Sequence, residues 1–161
     1  MDMELNTTEI KTNRAILLAD IENLVGSGDK PSPSEIQGII TSLDDAFSYL
    51  NYQPVVASSH RSAPVVWFSW PNARKLVRSG PDGADLELLS VLDNEPIVGR
   101  YDTVIIGSGD HIFTNSVARL ASKGLRIIAA VGRGEISRKL QMAVHEVVNL
   151  ELSVAEDSLS A

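Results

Sequence analysis

Three aspartates in this sequence stand where a carboxylate can do chemistry. Asp20 and Asp110 each follow an uninterrupted apolar run, and Asp85 falls within the apolar pattern of a helix. In an open α/β sheet, ligands bind just beyond the carboxyl ends of the strands, so an acid there either caps a helix or holds a cation. A cap alone explains one such acid. Two strands with the same ending and a third acid aimed at the same edge favour a shared cation.

Asp85 is expected to reach that edge through helix geometry. Leucines follow it at i+3, i+4 and i+7, so Asp85 belongs to the buried stripe of its helix. A right-handed crossover places the start of a helix beside the carboxyl ends of the strands. The side chain of Asp85 should therefore face inward at the level of Asp20 and Asp110, where an apolar residue would serve a purely structural role better.

The chemistry of such a cluster follows from its charge. Carboxylates that converge within a few ångström repel one another, so either some are protonated or a cation lies between them. The sequence has no cysteine and three histidines, and a site built of oxygen atoms alone favours Mg²⁺ or Mn²⁺ over zinc. Such an ion lowers the pKa of a bound water and neutralises the charge that develops on a phosphodiester.

The elements that must position these acids begin with buried strands. Val104, Ile105 and Ile106 form an apolar run typical of a central strand that is buried on both faces. The segment 74–78 predicts a strand near an edge of the sheet, because its charges could not all be buried. The other runs that predict strands are 14–20, 55–57, 126–131 and 147–150.

Helical patterns separate these strands. Ser32-Pro33-Ser34-Glu35 is a capping box with proline at the first helical position, and apolar residues at helical spacing continue to Leu50. Further segments predict a short helix or turn over 60–72, a helix over 85–92 with Asp82 as its N-cap, and helices over 113–121 and 136–147. The alternation predicts a three-layer α/β sandwich with a mostly parallel central sheet.

Composition limits what this fold can do. A chain of 161 residues with 43% hydrophobic and 22% charged residues is one ordinary globular domain. We expect the domain over 14–150, a loose N-terminal tail over 1–13 and an acidic tail over 151–161. The net charge of −7 argues against a broad phosphate-binding surface, so any nucleic-acid contact must be local or mediated by metal ions.

The same composition bears on where the protein works. No apolar run approaches the roughly 20 residues of a membrane span, and the polar start of the chain predicts no secretory signal. The absence of cysteine suits a reducing, cytoplasmic setting.

Four motifs, in their order along the chain, carry a resemblance to a known family. They are Asp20-Ile21-Glu22-Asn23 in the form D-x-x-N, Gly83-Ala84-Asp85 in the form G-x-D, Ser108-Gly109-Asp110 with Phe113 in the form S-G-D-x-x-F, and Arg133, Ser137 and Leu140 in a final turn and helix. Over roughly residues 14–150, the chain resembles the NYN domains of the PIN-like nuclease group. The resemblance implies a PIN-like, Rossmann-like fold.

The resemblance also implies an activity. It implies a metal-dependent endoribonuclease that hydrolyses RNA, in single-stranded segments, by means of a metal-activated water. Asp20, Asp85 and Asp110 would hold Mg²⁺ or Mn²⁺, directly or through water. Asn23 would orient a water or a phosphate, and the Ser108 hydroxyl would bind water or the scissile phosphate.

A basic group lies near the carboxyl end of one predicted strand. It consists of Arg133, Arg138 and Lys139, with Ser137 in the same turn as a helix cap. We take these four as candidate substrate-binding residues. A solvated helix start explains the charges about as well as phosphate binding does.

One position departs from the pattern of the resemblance. The family motif often reads S-G-D-x-D-F, with a second acid two residues after the first, and here that position is Ile112. The metal cluster would therefore be one carboxylate short, and Glu135 or Glu22 could take that place. A non-catalytic RNA-binding or protein-interaction module of the same fold is the alternative to a nuclease.

Simpler roles are open for other residues as well. Asp110 can act as a helix cap alone, Asn23 can end its turn, and His111 suits a solvent-exposed helix start. The loop Gly107-Ser108-Gly109 lacks the third glycine of a dinucleotide-binding loop, which disfavours a nucleotide site of the Rossmann type.

The aromatic residues Trp67, Phe68 and Trp70 are close together in the sequence. They suit the core or a self-association patch better than a platform for stacking bases. A homodimer would give an acidic monomer a larger binding surface, and the sequence leaves dimerisation open.

Overall fold

Six parallel strands form the central sheet of the protein. A computed structural model describes residues 13–152, so most of both expected tails lies outside the described residues. The strands are β1 (Arg14–Asp20), β2 (Asn51–Ser58), β3 (Arg74–Val77), β4 (Thr103–Gly107), β5 (Arg126–Val131) and β6 (Glu146–Asn149). They lie in the order β3-β2-β1-β4-β5-β6, and every neighbouring pair is parallel. The expected α/β class is confirmed, with a sheet that is wholly parallel.

Helices cover both faces of this sheet. They are α1 (Ile21–Val25), α2 (Pro33–Ala46), α3 (Ala63–Ser69), α4 (Gly83–Asn94), a 3₁₀ helix (His111–Phe113), α5 (Thr114–Ser122) and α6 (Arg138–Ala143). The core on one face includes Leu24, Ile36, Ile39 and Val66 from α1 to α3, and the core on the other includes Leu88, Leu92, Val117 and Leu140 from α4 to α6. Within residues 13–152, no helix combines the length and the apolar character that crossing a bilayer requires.

Strand β1 shows why the sheet is buried on both sides. Its side chains alternate between the two cores, with Leu17 on the face of α1 to α3 and Ile16 and Leu18 on the face of α4 to α6. All three are at most 3% exposed. Successive residues of a strand point to opposite faces, so a continuous apolar run can be buried only between two helical layers.

Strand β2 is longer than the predicted 55–57 and includes Pro54. Proline cannot donate a hydrogen bond to a neighbouring strand. Strand β3 pairs only with Val55 to Ser58, so Pro54 has a strand on one side alone, where it pairs with Leu17 of β1. The short β3 lies at the edge of the sheet, as the charges of its sequence predict.

The last helix is shorter than the predicted 136–147. Helix α6 ends at Ala143, and Val144 already has an extended backbone with φ −102° and ψ 157°. The reason is competition from the sheet: the Ile127 N–H donates to Nδ1 of His145 over 3.0 Å, and the His145 N–H donates to the Ile127 carbonyl over 2.9 Å. The prediction of a helix to 147 is therefore wrong at its end, whereas the strand predicted over 147–150 is present as β6.

The aromatic segment divides between core and surface. It forms α3, as the prediction of a short helix allowed. Val66 and Trp70 are buried, whereas Trp67 is 58% and Phe68 81% exposed.

The strand order reverses between β1 and β4. From β1 the chain builds outward through β2 and β3, and after α4 it returns to β4 and builds the other way through β5 and β6. The loops that leave β1 and β4 therefore diverge to opposite faces and open a crevice at the carboxyl edge of the sheet, which is where ligands of doubly wound sheets bind.

Candidate metal centre

Asp20 is the last residue of β1 and the N-cap of α1. Its Oδ1 accepts the Asn23 N–H over 3.2 Å, and the residue is 8% exposed. Helix α1 is a single short turn that ends at Gly26, where φ is 70°. The turn holds Asp20 rigidly at the carboxyl edge of the strand.

Asp110 occupies the equivalent place after β4, the strand next to β1. Its Oδ1 accepts the Ile112 N–H over 2.9 Å and so caps the 3₁₀ helix. Nδ1 of His111 lies 3.4 Å from the same oxygen. Asp20 and Asp110 thus both cap short helices, but each cap uses one oxygen, and a carboxylate has a second oxygen for a ligand.

Asp85 enters the crevice from the first turn of α4 and is only 6% exposed. Its Oδ1 is buried and has no hydrogen-bond partner among the described residues. Burial, a hydrogen bond with Asp20 and the nearby charges of Asp20 and Asp110 raise the pKa of Asp85 to about 8. Burial also raises the pKa of Asp20. The structure thus brings Asp85 against both Asp20 and Asp110. Asp20 contacts this site through Asp85 and is not among the acids whose oxygens converge with those of Asp85 and Asp110.

A fourth acid, Asp82, lies at the same place. One carboxylate oxygen from each of Asp82, Asp85 and Asp110 falls within 4.8 Å of the other two. Asp82 stands at the expected N-cap position of α4, but its backbone is left-handed, with φ 57°, and its side chain makes no capping hydrogen bond. The expectation that Asp82 caps the helix is therefore correct in position and wrong in its hydrogen bonding.

Asn23 and Ser108 act on the backbone around these acids. Oδ1 of Asn23 accepts the Gly109 N–H over 3.3 Å, which ties the loop after β1 to the loop after β4. The Ser108 hydroxyl accepts the Asp110 N–H over 3.2 Å, and Ser108 is fully buried. The expected contact of Ser108 with water or phosphate does not match this burial, because the hydroxyl faces the backbone of its own loop.

The basic group belongs to a third loop at the same edge. The Ser137 N–H donates to the Gly109 carbonyl over 2.8 Å, and the Ser137 hydroxyl accepts the Leu140 N–H over 3.2 Å as the N-cap of α6. Nη1 of Arg133 lies 3.7 Å from Oε2 of Glu35, while Arg138 and Lys139 are exposed at the start of α6.

The two acids that the sequence offers in place of Ile112 serve elsewhere. Glu22 accepts hydrogen bonds of 2.6 Å from the hydroxyls of both Ser59 and Ser62, which fixes the start of α3 against α1. Glu135 is not among the acids whose oxygens converge with those of Asp85 and Asp110. Ile112 packs against the core on the face of α4 to α6.

The site as a whole is an anionic pocket of oxygen donors. Among residues 13–152, no lysine or arginine makes an ion pair with any of its four aspartates, and the His111 imidazole is the nitrogen group of a side chain that reaches Asp110. A buried carboxylate oxygen without a donor, surrounded by other carboxylates, fits a hard divalent cation. The chemistry of the donor set thus matches Mg²⁺ or Mn²⁺.

Comparison with known proteins identifies the family and the fold. A family model for the NYN domain matches residues 14–151, which is most of the chain. The fold is similar to the crystal structure of a Vibrio parahaemolyticus protein described as being of unknown function, with a TM-score of 0.57 and 13% sequence identity over 89% of this chain and 96% of that one. No curated protein matches the sequence.

Proposed function

The chain belongs to the NYN domain family, and on that premise we propose that it is a metal-dependent endoribonuclease that hydrolyses phosphodiester bonds of single-stranded RNA. The family gives the PIN-like nuclease fold. The observation that carries the proposal is Asp85: a buried carboxylate with an unpartnered oxygen, held between Asp20 and Asp110. Burying such a group has a large cost that a hydrophobic residue would avoid, and a bound cation offsets that cost.

The residues of the crevice divide into ligands and positioning residues. Asp20 and Asp110 would hold Mg²⁺ or Mn²⁺ through the oxygens that capping leaves available, and Asp85 through its unpartnered Oδ1. A bound ion of this kind supplies an activated water and neutralises charge on the phosphodiester. Asn23 and Ser108 hold the backbone of the loop after β4 through Gly109 and Asp110, so their contribution is to keep Asp110 in place.

The substrate side of the proposal involves the loop after β5. Arg138 and Lys139 are exposed at the start of α6, and Ser137 joins that start to the carbonyl of Gly109, one residue before Asp110. An RNA backbone at the acidic cluster would therefore pass close to these cations, with Arg133 beside them. Because the protein carries a net charge of −7, this small basic group and the metal must supply the attraction for phosphate.

The test uses a circular single-stranded RNA, which only an endonuclease can open. The wild-type protein is incubated with this RNA in Mn²⁺, in Mg²⁺ and in EDTA, beside Asp110→Asn and Asp85→Asn. We expect cleavage by the wild type with either metal, none in EDTA, and a loss of at least about 100-fold in each variant, since each replaces a charged carboxylate ligand with a neutral and weaker amide. Asp45→Asn, an exposed acid of α2 away from the crevice, is the matched control and should cleave like the wild type.

Two results would contradict the proposal. Cleavage that survives EDTA or persists equally in Asp110→Asn would point to a contaminating nuclease. Binding of the RNA by wild type and variants alike, without cleavage in any metal, would favour the non-catalytic RNA-binding module of the same fold.

A further inference from the structure

We propose that Asp82 provides the fourth carboxylate of the metal centre, in place of the acid that Ile112 removes from the loop after β4. This inference rests on the proposed function, because it concerns the same cation. The proposal differs from the family motif in the element that supplies the fourth ligand. The extra ligand comes from the N-terminus of α4 and not from the 3₁₀ helix after Asp110.

The first support is the position of the side chain. A carboxylate oxygen of Asp82 lies within 4.8 Å of one on Asp85 and one on Asp110. Two oxygens that bind one divalent ion at about 2.1–2.5 Å are separated by less than about 5 Å, so these three groups can reach a common ion. Glu22 and Glu135 do not join this group of oxygens, and Asp20 adjoins it through its hydrogen bond with Asp85.

The second support is that Asp82 stands at the N-cap position of α4 but does not cap the helix. An N-cap residue normally has an extended backbone and accepts a hydrogen bond from the second or third N–H of its helix. Asp82 has φ 57° and ψ 21° and makes no such bond. Among residues 13–152, it is the one non-glycine residue with a positive φ. Its carboxylate therefore turns away from the helix end and toward the other acids.

The loop before α4 fixes this conformation. A Cβ added to Gly83 would lie 2.6 Å from the carbonyl oxygen of Arg78, so only glycine lets the start of α4 pack this closely on the end of β3. Gly80 has φ 95° and closes the turn between them, with its carbonyl accepting the Gly83 N–H over 3.0 Å. Asp82 therefore lies in a short turn between Gly80 and Gly83, which are joined by a hydrogen bond, and Gly83 packs against Arg78.

The third support, which is independent of Asp82, is the buried and unpartnered Oδ1 of Asp85. It indicates that this site binds a cation. Asp85 is 94% shielded from solvent in a site where Asp82 and Asp110 bring further negative charge, and its Oδ1 has no donor. The nearest arginine in sequence, Arg78, has its Nη1 3.6 Å from Glu87 and does not pair with Asp82. Each acid added to this place without a cation makes the folded state less stable, so a second carboxylate next to Asp85 is explained by a cation that both of them bind.

The experiment measures Mn²⁺ binding directly, without RNA. Free Mn²⁺ is followed by electron paramagnetic resonance during titration of the wild type, Asp82→Asn, Asp82→Gly, Asp85→Asn and the control Asp45→Asn. Asparagine and glycine both tolerate a left-handed backbone, so neither substitution strains the turn. Melting temperatures in EDTA report whether each variant is folded, and the rise in melting temperature on adding Mn²⁺ gives a second measure of binding.

We expect Asp82→Gly to weaken Mn²⁺ binding by at least about 10-fold, and Asp82→Asn by a comparable or smaller factor because an amide oxygen is a weaker ligand. In EDTA, both variants should melt at or above the wild-type temperature, because they remove a like charge. Unchanged Mn²⁺ affinity in Asp82→Gly, with binding lost in Asp85→Asn, would overturn the role of Asp82 and leave the proposed function standing. A wild type that binds no Mn²⁺ would overturn both.

Discussion

At the scale of single residues, two of the proposed metal ligands also have a structural task. Asp20 and Asp110 each give one oxygen to the N–H groups of a short helix. The cap fixes the direction of the carboxylate, and the second oxygen is then presented at a defined place. Asp85 caps no helix. Its buried carboxyl group is stabilised by a hydrogen bond with Asp20 and by a proton or a cation.

The raised pKa of Asp85 predicts a specific pH dependence of stability in EDTA. The carboxyl has a pKa of about 8 in the folded protein and about 3.9 in the unfolded chain. Its protonated form therefore contributes stability that is fully present below about pH 4 and is lost as the pH rises through about 8. We expect the melting temperature to fall by up to about 2–4 °C per pH unit between pH 6 and 8.

The variant Asp85→Asn isolates this effect. An amide keeps the shape of the side chain and does not ionise, so the fall in melting temperature with pH should become much smaller. Excess Mn²⁺ should act oppositely on the wild type, with a stabilisation that grows with pH because the metal competes with the proton. Equal pH slopes for wild type and Asp85→Asn in EDTA would contradict this account.

The sequence predicts some of these residues better than others. Acids directly after apolar runs are visible in a single sequence, and so are the leucines that place Asp85 on a buried stripe. The direction of the Asp82 side chain could not be predicted, because an aspartate before a helix gives the same sequence pattern whether it caps the helix or turns away from it. The burial of Ser108 is also beyond the sequence, since it depends on how closely the neighbouring loops pack.

At the scale of elements, the crevice is built from loops that pass each other at backbone contact. A Cβ on Gly109 would overlap the carbonyl oxygen of Glu135, and a Cβ on Gly132 would overlap that of Leu24. The loops after β1, β4 and β5 therefore fit together only through glycine. The acids of one loop are positioned by the backbone of the next.

This packing predicts a contrast between two glycines. Gly109→Ala should lower the free energy of unfolding by about 1–3 kcal/mol and weaken Mn²⁺ binding, because the loop that carries Asp110 must move away from Glu135. Gly38→Ala is the matched control: Gly38 is exposed within α2 and has no atom within 4 Å of an added Cβ. It should raise the free energy of unfolding by about 0.5–1 kcal/mol. Chemical denaturation in EDTA measures both free energies of unfolding. An unchanged free energy of unfolding in Gly109→Ala would show that the two loops can move apart without cost, contrary to this account.

Element boundaries show where a local pattern is insufficient. The capping box at Ser32 predicts the start of α2 correctly, since both of its reciprocal hydrogen bonds form. The end of α6 could not be predicted, because residues 144–149 have apolar spacing that suits a helix and a strand alike. Pairing with β5 decides between them, and that pairing is a property of the assembled sheet.

At the scale of the whole molecule, charge and topology set the conditions for the proposed binding of RNA. The protein carries a net charge of −7, and the cations that the proposal assigns to phosphate are Arg133, Arg138 and Lys139. The wholly parallel sheet with its reversal between β1 and β4 could be anticipated in class from the alternating pattern. The order of the strands could not, because equivalent apolar runs leave several orders open.

The few cations predict weak salt dependence. In EDTA, where no cleavage occurs, the affinity for single-stranded RNA should fall with NaCl with a log–log slope no steeper than about −2, as expected for about three phosphate contacts. The double variant Arg138→Ala with Lys139→Ala should make the dependence shallower, with a slope between about −1 and zero. A slope as steep as −5 would reveal a basic surface elsewhere in the protein. Fluorescence anisotropy of a labelled oligonucleotide is a suitable measurement.

The hydrogen bond between Asn23 and Gly109 joins residues 86 positions apart in the chain. During synthesis on the ribosome, the first acid of the proposed nuclease emerges long before the strand that sits beside it. β1 can therefore pair with β4 only after most of the polypeptide has been synthesised, and contacts between residues so distant in sequence form slowly. A nascent chain would thus be inert toward the messenger and ribosomal RNA around it, and the capacity to cut would begin only once β4 and the loop after it have been made.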